Sequence, residues 1–296
     1  MSPKDLLLAL IVVLAWGVNF VVIRIGLNGM PPMLLGAMRF AAVLFPAIFL
    51  VRRPAVPWRW LVAYGTTISL AQFSLLFLAM YVGMPAGLAS LVLQAQAFLT
   101  LGFAAAFLGE RVRARNLGGL LLAAAGLLLI GLQSGTTMTT AGFVLTLCAA
   151  TAWALGNIVT KKIGPVDQLA LVIWAGLIPP LPFLVLSWIF EGPERIHQAL
   201  AHIGTSTILA VIYLALVSTL VGYTIWSRLL SRYPAGQVAP FSLLVPVVGL
   251  AAAAIALDEH LSAPQVAGAA LVLLGLTVNV FGIGRLRLPG RAREHR

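Results

Sequence analysis

Long runs of apolar residues, separated by short polar connections, follow one another along almost the whole chain. Because a helix of about 20 apolar residues crosses the hydrocarbon core of a bilayer, each run predicts one transmembrane helix. The predicted spans are 6–27, 32–51, 60–81, 86–108, 116–132, 139–160, 169–190, 206–229, 236–257 and 263–284. The short alternating segments typical of transmembrane β-strands are absent. The pattern therefore predicts an all-α polytopic membrane protein with ten transmembrane helices.

An internal repeat relates the two halves of the chain. Pro85-Ala86-Gly87 opens an apolar run that ends at Glu110, and 149 residues later Pro234-Ala235-Gly236 opens one that ends at Glu259. The same shift superimposes three further pairs: Gly119 on Gly268, Gly126 on Gly275, and Ala104-Ala105 on Ala253-Ala254. The openings of the two halves match more weakly, Ala15-Trp16 to Arg24 against Ala152-Trp153 to Lys161.

The repeat predicts three regions: residues 1–133, residues 134–284 and a basic tail, 285–296. Each of the two large regions holds five spans, and an odd number inserts the second copy upside down relative to the first. Inverted repeats are typical of secondary transporters, which bind substrate near the membrane midplane between the halves. We therefore expect two inverted five-helix repeats that rock against each other and open one side at a time.

The placement of basic residues agrees with this arrangement. With the N-terminus in the cytoplasm, all but three of the 19 Lys and Arg side chains fall on the cytoplasmic side; the exceptions are Arg24, Arg39 and Arg195. Cytoplasmic loops of membrane proteins carry such an excess, so both termini are predicted to be cytoplasmic. The same loops account for the net charge of +11, and we expect no nucleic-acid partner.

The composition and motifs argue against an enzyme. Hydrophobic residues make up 61% of the chain and charged residues 9%, against roughly 25% charged in soluble domains. A single cysteine, Cys148, excludes an internal disulfide and a cysteine-rich metal site. The sequence has no GxxxxGK[ST], HExxH or GxSxG motif, and its four histidines lie outside the predicted spans. We expect no cofactor, no metal ion and no catalytic residues.

Polar and aromatic side chains near the midpoints of the spans form the predicted substrate-binding set. These residues are Trp16, Asn19, Arg39, Gln72, Ser90, Gln94, Trp153, Asn157, Thr219, Tyr223, Trp226 and Ser242. Polar groups inside a span are costly and usually face the bundle interior, but the same residue types also bond neighbouring helices to one another. Each is therefore either a cavity wall or a structural contact. Gln94 and Gln96 are two residues apart, so at most one is expected to face the cavity.

Arg39 is the one charged residue placed well inside a predicted span. Its guanidinium could bind a substrate carboxylate through two parallel hydrogen bonds, or it could extend to the membrane interface. All eight acids fall in loops or at helix ends, whereas proton-coupled transporters usually carry an embedded carboxylate or His relay. This favours facilitated diffusion or exchange, or coupling through a group that the sequence does not identify.

The spans 116–132 and 263–284 are almost free of polar side chains. Gly119 and Gly126, like Gly268 and Gly275, are seven residues apart and share a helix face, which permits close backbone approach. We interpret these two helices as a scaffold or as the seam of a homodimer.

Several short stretches of the sequence resemble the EamA family of the drug/metabolite transporter superfamily. They are Trp16-Gly17-Val18-Asn19-Phe20, Pro85-Ala86-Gly87-Leu88-Ala89-Ser90 and the helix ends at Glu110 and Glu259. Leu93-Gln94-Ala95-Gln96-Ala97-Phe98, Val238-Ala239-Pro240 and Val248-Gly249-Leu250 are most similar to the O-acetylserine/cysteine exporter branch. The resemblance implies a ten-helix inverted-repeat exporter of amino acids and related metabolites in a bacterial inner membrane.

Other functions remain open at this stage. A multidrug or aromatic amino-acid exporter would share the fold. A nucleotide-sugar carrier would need several cavity Lys or Arg residues for phosphates, and only Arg39 is available. A membrane enzyme or lipid-processing protein would need a nucleophile–base pair or a metal constellation, which the sequence does not contain.

Overall fold

The computed structural model describes residues 1–281 except Arg111, Arg113, Ser134, Thr136 and Pro234. The helices are α1 (Pro3–Gly29), α2 (Pro32–Ala47), α3 (Trp58–Tyr81), α4 (Ala86–Leu108), α5 (Ala114–Gly131), α6 (Thr140–Ile163), α7 (Gln168–Ala175), α8 (Pro180–Glu191), α9 (Pro193–Ala201), α10 (Thr205–Arg232), α11 (Leu244–Leu257) and α12 (Ala263–Phe281). One helical turn, Ala235–Val238, and a 3₁₀ turn, Ala239–Leu243, lead into α11. The predicted tail, 285–296, and the last residues of the final predicted span lie outside the described residues.

Within the described residues, seven helical segments are long and apolar enough to cross a membrane, so the protein is a multi-pass helical membrane protein. They are α1, α3, α4, α6, α10, the segment Pro240–Leu257 and α12. The pair α7 and α8, bent by 40° at its break, would make an eighth crossing. The apolar stretches Pro32–Phe45 and Asn116–Gly131 are shorter. By length and hydropathy alone the count of ten stays a prediction.

Several irregularities interrupt the long helices. The predicted span 169–190 is broken between α7 and α8 at Pro179 and Pro180, because proline lacks an N–H and clashes with the preceding turn. Wide π-helical turns occupy Gly65–Ala71 in α3 and Tyr213–Val221 in α10. These two segments coincide under the shift of 149 residues. Such π-helical turns are frequent at functional sites.

The glycine faces of α5 and α12 pack directly against each other. A Cβ atom added to Gly119 would lie 2.6 Å from the carbonyl oxygen of Gly275, and one added to Gly126 would lie 2.5 Å from that of Gly268. Only hydrogen at these positions allows the two backbones to approach so closely. The faces proposed as scaffold or dimer seam therefore contact each other within one chain, which leaves only other faces of these helices for a homodimer.

Helix α1 lies at the centre of the bundle and packs against α4, α10 and α11. The Tyr213 hydroxyl donates to the carbonyl of Ala15 at 3.0 Å, which ties α10 to α1. Helix α2 packs against α3, α8 and α10. Its first turn is capped by Glu191, which accepts from the N–H groups of Met33 and Leu34 at 2.6 and 3.1 Å. This packing brings the midpoints of several helices to one place.

Candidate substrate cavity

A cavity of about 160 Å³ lies among helices α1, α2, α3, α4, α6, α10 and the start of α11. Nine members of the predicted set line it: Trp16, Asn19, Arg39, Gln72, Ser90, Gln94, Trp153, Tyr223 and Ser242. The remaining lining residues are Phe20, Phe73, Leu76, Leu93, Gln96, Ser218 and Val245. The lining thus draws on residues from both halves of the chain.

A second, more open depression of about 670 Å³ lies at the connection between α6 and α7. Its walls are Pro165, Val166, Asp167, Gln168 and Leu169 together with Thr224, Ser227, Arg228, Leu230 and Ser231 of α10. It contains no member of the predicted set, so the smaller internal cavity is the better candidate for a substrate site.

Arg39 lies inside the bundle and is one of the residues that line the cavity. The residue is 4% exposed, so the side chain does not extend to the membrane interface. Its Nη2 donates to Thr219 Oγ1 at 3.4 Å, and its Cζ lies 4.1 Å from the ring centre of Phe73. Its Nε and Nη1 have no hydrogen-bond partner among the described residues. A buried charge in this state is costly unless a further group accepts from it.

Asn19 supplies the complementary polar atom. The residue is 8% exposed, and its Oδ1 also lacks a hydrogen-bond partner among the described residues. Arg39, with two unpaired donor nitrogens, and Asn19, with one unpaired acceptor oxygen, are therefore both lining residues of the same small cavity. Buried side-chain polar atoms are usually paired, so this combination marks a place where a ligand with both acceptors and donors would be stabilised.

Gln94 and Gln96 both line the cavity, contrary to the expectation that at most one of them would. The reason is local: the N–H of Gln96 donates to the carbonyl of Leu93, and that of Ala97 donates to the carbonyl of Gln94, at 3.1 and 3.0 Å. These are i to i−3 bonds, which wind the chain at about three residues per turn rather than 3.6. The tighter winding brings the two amide side chains nearer to one side of α4.

Aromatic rings form another wall. The Trp16 indole N–H donates to the carbonyl of Ser218 at 2.9 Å. Its ring lies 5.5 Å from that of Tyr223 and 5.2 Å from that of Trp226, both tilted. Gly222 allows this approach, since a Cβ atom there would lie 2.6 Å from Trp16 Nε1. With its polar atom satisfied, Trp16 presents a fixed apolar surface.

Three predicted residues lie behind the lining rather than in it. Asn157 donates through Nδ2 to Gln96 Oε1 at 2.8 Å and to Thr100 Oγ1 at 3.0 Å, and so joins α6 to α4. Thr219 donates to the carbonyl of Leu214 at 2.8 Å while it accepts from Arg39. Trp226 packs behind Trp16. These residues hold lining side chains in position.

The lining residues that sequence reasoning missed are mostly apolar. Phe20, Phe73, Leu76, Leu93 and Val245 have no distinguishing signal in a chain that is apolar almost everywhere. Phe20 and Phe73 directly follow Asn19 and Gln72, which is the only available clue. No group of three or more His, Cys, Asp or Glu residues that could hold a metal ion occurs in the part of the chain that the structure describes.

Comparisons with known proteins also indicate a membrane transporter, over nearly the whole chain. The model of the EamA-like transporter family matches residues 4–132 and 140–281. A probable amino-acid metabolite efflux pump of Salmonella typhimurium is 52% identical over 297 residues, covering 98% of this chain and 99% of that protein. A protein with the same description from Escherichia coli is 53% identical over 289 residues, covering 96% and 97%.

A solved crystal structure of a protein with 19% identity superposes with a TM-score of 0.65 and covers 98% of this chain and 100% of that one. At this identity the likeness concerns the fold. The family match, in contrast, spans both halves of the sequence and names transporters rather than enzymes. This chain therefore belongs to the EamA-like transporter family.

Proposed function

We propose that this protein exports small amino acids and related metabolites, of the cysteine or O-acetylserine type, by alternating access. The observation that carries the proposal is the Arg39 guanidinium, buried at the cavity with Nε and Nη1 unpaired among the described residues. A carboxylate matches such a group because a guanidinium offers two parallel N–H donors. The two relatives described as probable amino-acid metabolite efflux pumps support the same substrate class.

The zwitterion would be held at both ends. Its carboxylate would accept from Arg39, and its ammonium would donate to Oδ1 of Asn19. The faces of Trp16 and Tyr223 add favourable cation–π surfaces for the ammonium or apolar contact for the side chain. Gln72, Gln94 and Ser242 supply amide and hydroxyl groups that fix the orientation of the bound amino acid.

Cavity size separates the leading function from its alternatives. Drug-sized ligands occupy pockets of about 300–1,000 Å³, and this cavity measures about 160 Å³. A small neutral amino acid is therefore favoured over the multidrug or aromatic amino-acid exporter that shares the fold.

The membrane arrangement that fits this function has ten spans in two inverted repeats, 1–133 and 134–284, with both termini in the cytoplasm of a bacterial cell. Three features support it: the repeat of 149 residues, the asymmetry of basic residues, and the family match in two blocks, 4–132 and 140–281. Helix α2 and helix α5 count as spans here, and α7 with α8 forms one broken span. A homodimer, if formed, would use faces of α5 and α12 other than the glycine faces.

Transport would proceed by facilitated diffusion or exchange. No acidic residue or histidine is among the residues that line the cavity. A proton relay through the membrane usually uses such groups.

A substrate panel tests the proposal directly. Purified protein in liposomes should move labelled small neutral amino acids, and it should discriminate against the matching amines that lack the carboxylate. Tryptophan and larger drug-like cations should move slowly, because the cavity is small. Uptake of the decarboxylated amines at the same rate as the amino acids would remove the role given to Arg39. Preferential uptake of large cations would replace the proposal with the multidrug alternative.

A further inference from the structure

Two acidic residues at equivalent positions of the repeat have different partners. Glu110 follows α4, and Glu259 follows α11 at a distance of 149 residues. Both helices end alike: Gly109 and Asp258 adopt left-handed φ values of 67° and 54°. The N–H groups of the two glutamates donate to the carbonyl six residues back, at 3.2 and 3.3 Å. The two carboxylates therefore leave their helices from the same backbone geometry.

Glu259 caps the N-terminus of α4. Its Oε1 accepts from the N–H of Ala86 at 2.7 Å, and its Oε2 accepts from the N–H of Gly87 at 2.9 Å. A negative charge at this place satisfies two unpaired N–H groups and interacts favourably with the helix dipole. Ala86–Val92 is a regular helix, and Leu88 is 1% exposed. The cap thus ties the end of α11 to a well-packed start of α4.

Glu110 makes a different contact. Both of its carboxylate oxygens accept from Lys161 Nζ at 2.8 Å, in an ion pair whose two side chains are nearly half exposed. The segment equivalent to the start of α4 is also different: it is the single turn Ala235–Val238, followed by a 3₁₀ turn. Gln237, the equivalent of the buried Leu88, is exposed. The second copy of the helix start is therefore shorter and less regular than the first.

We propose that Glu259 and Glu110 act as two latches on opposite faces of the bundle. A latch is closed when its carboxylate caps the start of the neighbouring helix, and the two latches close in turn. In the state described here Glu259 is closed on α4, while Glu110 is released to Lys161. In the opposite state Glu110 would accept from the N–H groups of Ala235 and Gly236, and Glu259 would release Ala86 and Gly87. The inference rests on the proposed export by alternating access, for which it names the residues that hold each side shut.

The repeat also supplies a partner for the released Glu259. Arg24 is the repeat equivalent of Lys161, and its Nη1 donates to the carbonyl of Met80 at 2.8 Å. Met80 lies in the last turn of α3, just before the connection into α4. In the opposite state Arg24 would pair with Glu259 as Lys161 now pairs with Glu110. Each carboxylate thus exchanges a helix cap for an ion pair, so neither state leaves a carboxylate without a partner, and bound substrate can shift the populations of the two states.

Cysteine labelling reports this exchange without any substrate. In a C148A background, which removes the free Cys148, the reporters are L88C at the closed latch and Q237C at the open one. A membrane-impermeant maleimide should label Q237C rapidly in inside-out vesicles, where the cytoplasmic face is outside, and L88C slowly in right-side-out vesicles. E259Q should raise the L88C rate and lower the Q237C rate, so that the ratio of the two rates changes roughly tenfold, which corresponds to about 1.4 kcal/mol. K161M should act in the same direction, because it removes the partner that holds Glu110 open.

Two comparisons keep the result interpretable. E110Q should leave L88C slow and Q237C fast, because it removes the latch that is already open. E191Q removes a carboxylate that caps α2 through Met33 and Leu34 but belongs to neither latch, so it should leave both rates unchanged. Gln237 is exposed, and its reporter therefore remains usable if L88C lowers the folded yield.

An unchanged ratio of the L88C and Q237C rates in both E259Q and K161M would overturn the latches, as would an equal effect of E191Q. Failure of the amino-acid panel together with the expected labelling would instead reject the substrate and leave the latches standing. The two proposals are therefore tested separately.

Discussion

The Arg39 Cζ lies 4.1 Å from the ring centre of Phe73, so the guanidinium rests on an aromatic face instead of facing a carboxylate. Phe40 lies on its own helix at 5.5 Å. Cation–π contacts of this kind contribute roughly 0.5–2 kcal/mol, which lowers the cost of burying the charge but leaves Nε and Nη1 unpaired within the described residues. Arg39 is thereby held in position at the cavity wall.

We expect R39M to weaken amino-acid transport strongly while the protein still folds. A hydrogen bond to a charged group contributes about 1.5–3 kcal/mol, so loss of the carboxylate contact should raise KM at least tenfold. Methionine retains much of the apolar stem and can pack on Phe73. Uptake in liposomes and elution as a single species in detergent measure the two effects.

The matched control is R195M, which removes an arginine on the exposed helix α9 that donates to the Tyr81 hydroxyl. It should transport normally. Normal transport by R39M would show that Arg39 has only a structural role.

Replacement of Gln72 or Gln94 by leucine should reduce transport without reducing the folded yield. Leucine has similar bulk, so the main change is the loss of amide hydrogen bonds at the cavity wall. N157L is the matched comparison, because Asn157 bonds to Gln96 and Thr100 behind the wall. It should lower thermal stability by about 1 kcal/mol, with transport per folded molecule less affected. If Q72L and Q94L fold poorly and transport normally, these residues serve only as contacts between helices.

Leucine at Gly119 should strongly reduce the yield of folded protein. A Cβ atom there would lie 2.6 Å from the carbonyl oxygen of Gly275, and overpacking of this kind typically costs about 1–3 kcal/mol or more. Gly118 is the adjacent control, because a Cβ atom at that residue meets nothing within 4 Å. Thermal unfolding in detergent should therefore separate G119L from G118L. Equal stability of the two variants would contradict the packing assigned to this face.

Transport down a substrate gradient should persist after a protonophore collapses the proton gradient. The physical reason is that the cavity lining contains no carboxylate or imidazole that could carry the proton. Counterflow in liposomes with a maintained amino-acid gradient measures this. Complete arrest by the protonophore would require a coupling group that the lining does not contain.

Reporter fusions test the membrane orientation. Fusions after Arg53, Arg115 and Lys162 should report a cytoplasmic location, and a fusion after Glu194 should report a periplasmic one, because basic loops stay on the cytoplasmic side. Alkaline phosphatase and fluorescent-protein fusions give opposite signals on the two sides. A cytoplasmic reading at Glu194 would remove the inverted arrangement of the repeats.

Sequence patterns predicted the helical membrane class and the approximate extent of most helices, because apolar runs and their polar breaks are large signals. Helix depth and residue type also selected nine residues that line one cavity. The count of ten spans stays a prediction, since α2 and the apolar part of α5 are short.

Finer geometry depended on details that periodicity does not encode. The expectation for Gln94 and Gln96 assumed regular winding of about 100° per residue. The helix is wound more tightly there, which changes the directions of the two side chains. Asn157, Thr219 and Trp226 have the depth and polarity of lining residues, but neighbours in contact with them occupy the cavity side. Apolar walls such as Phe73 could not be distinguished from lipid-facing residues, because both are hydrophobic.

The contact between the glycine faces of α5 and α12 also affects how the protein is made. Helix α5 leaves the ribosome long before α12, because residues 132–262 separate the two elements. At about 5–20 residues per second, the glycine face of α5 must wait on the order of ten seconds for its partner. During that interval it is exposed to lipid, to the insertion machinery or to another nascent chain. Cotranslational assembly thus leaves this face uncovered until synthesis is nearly complete.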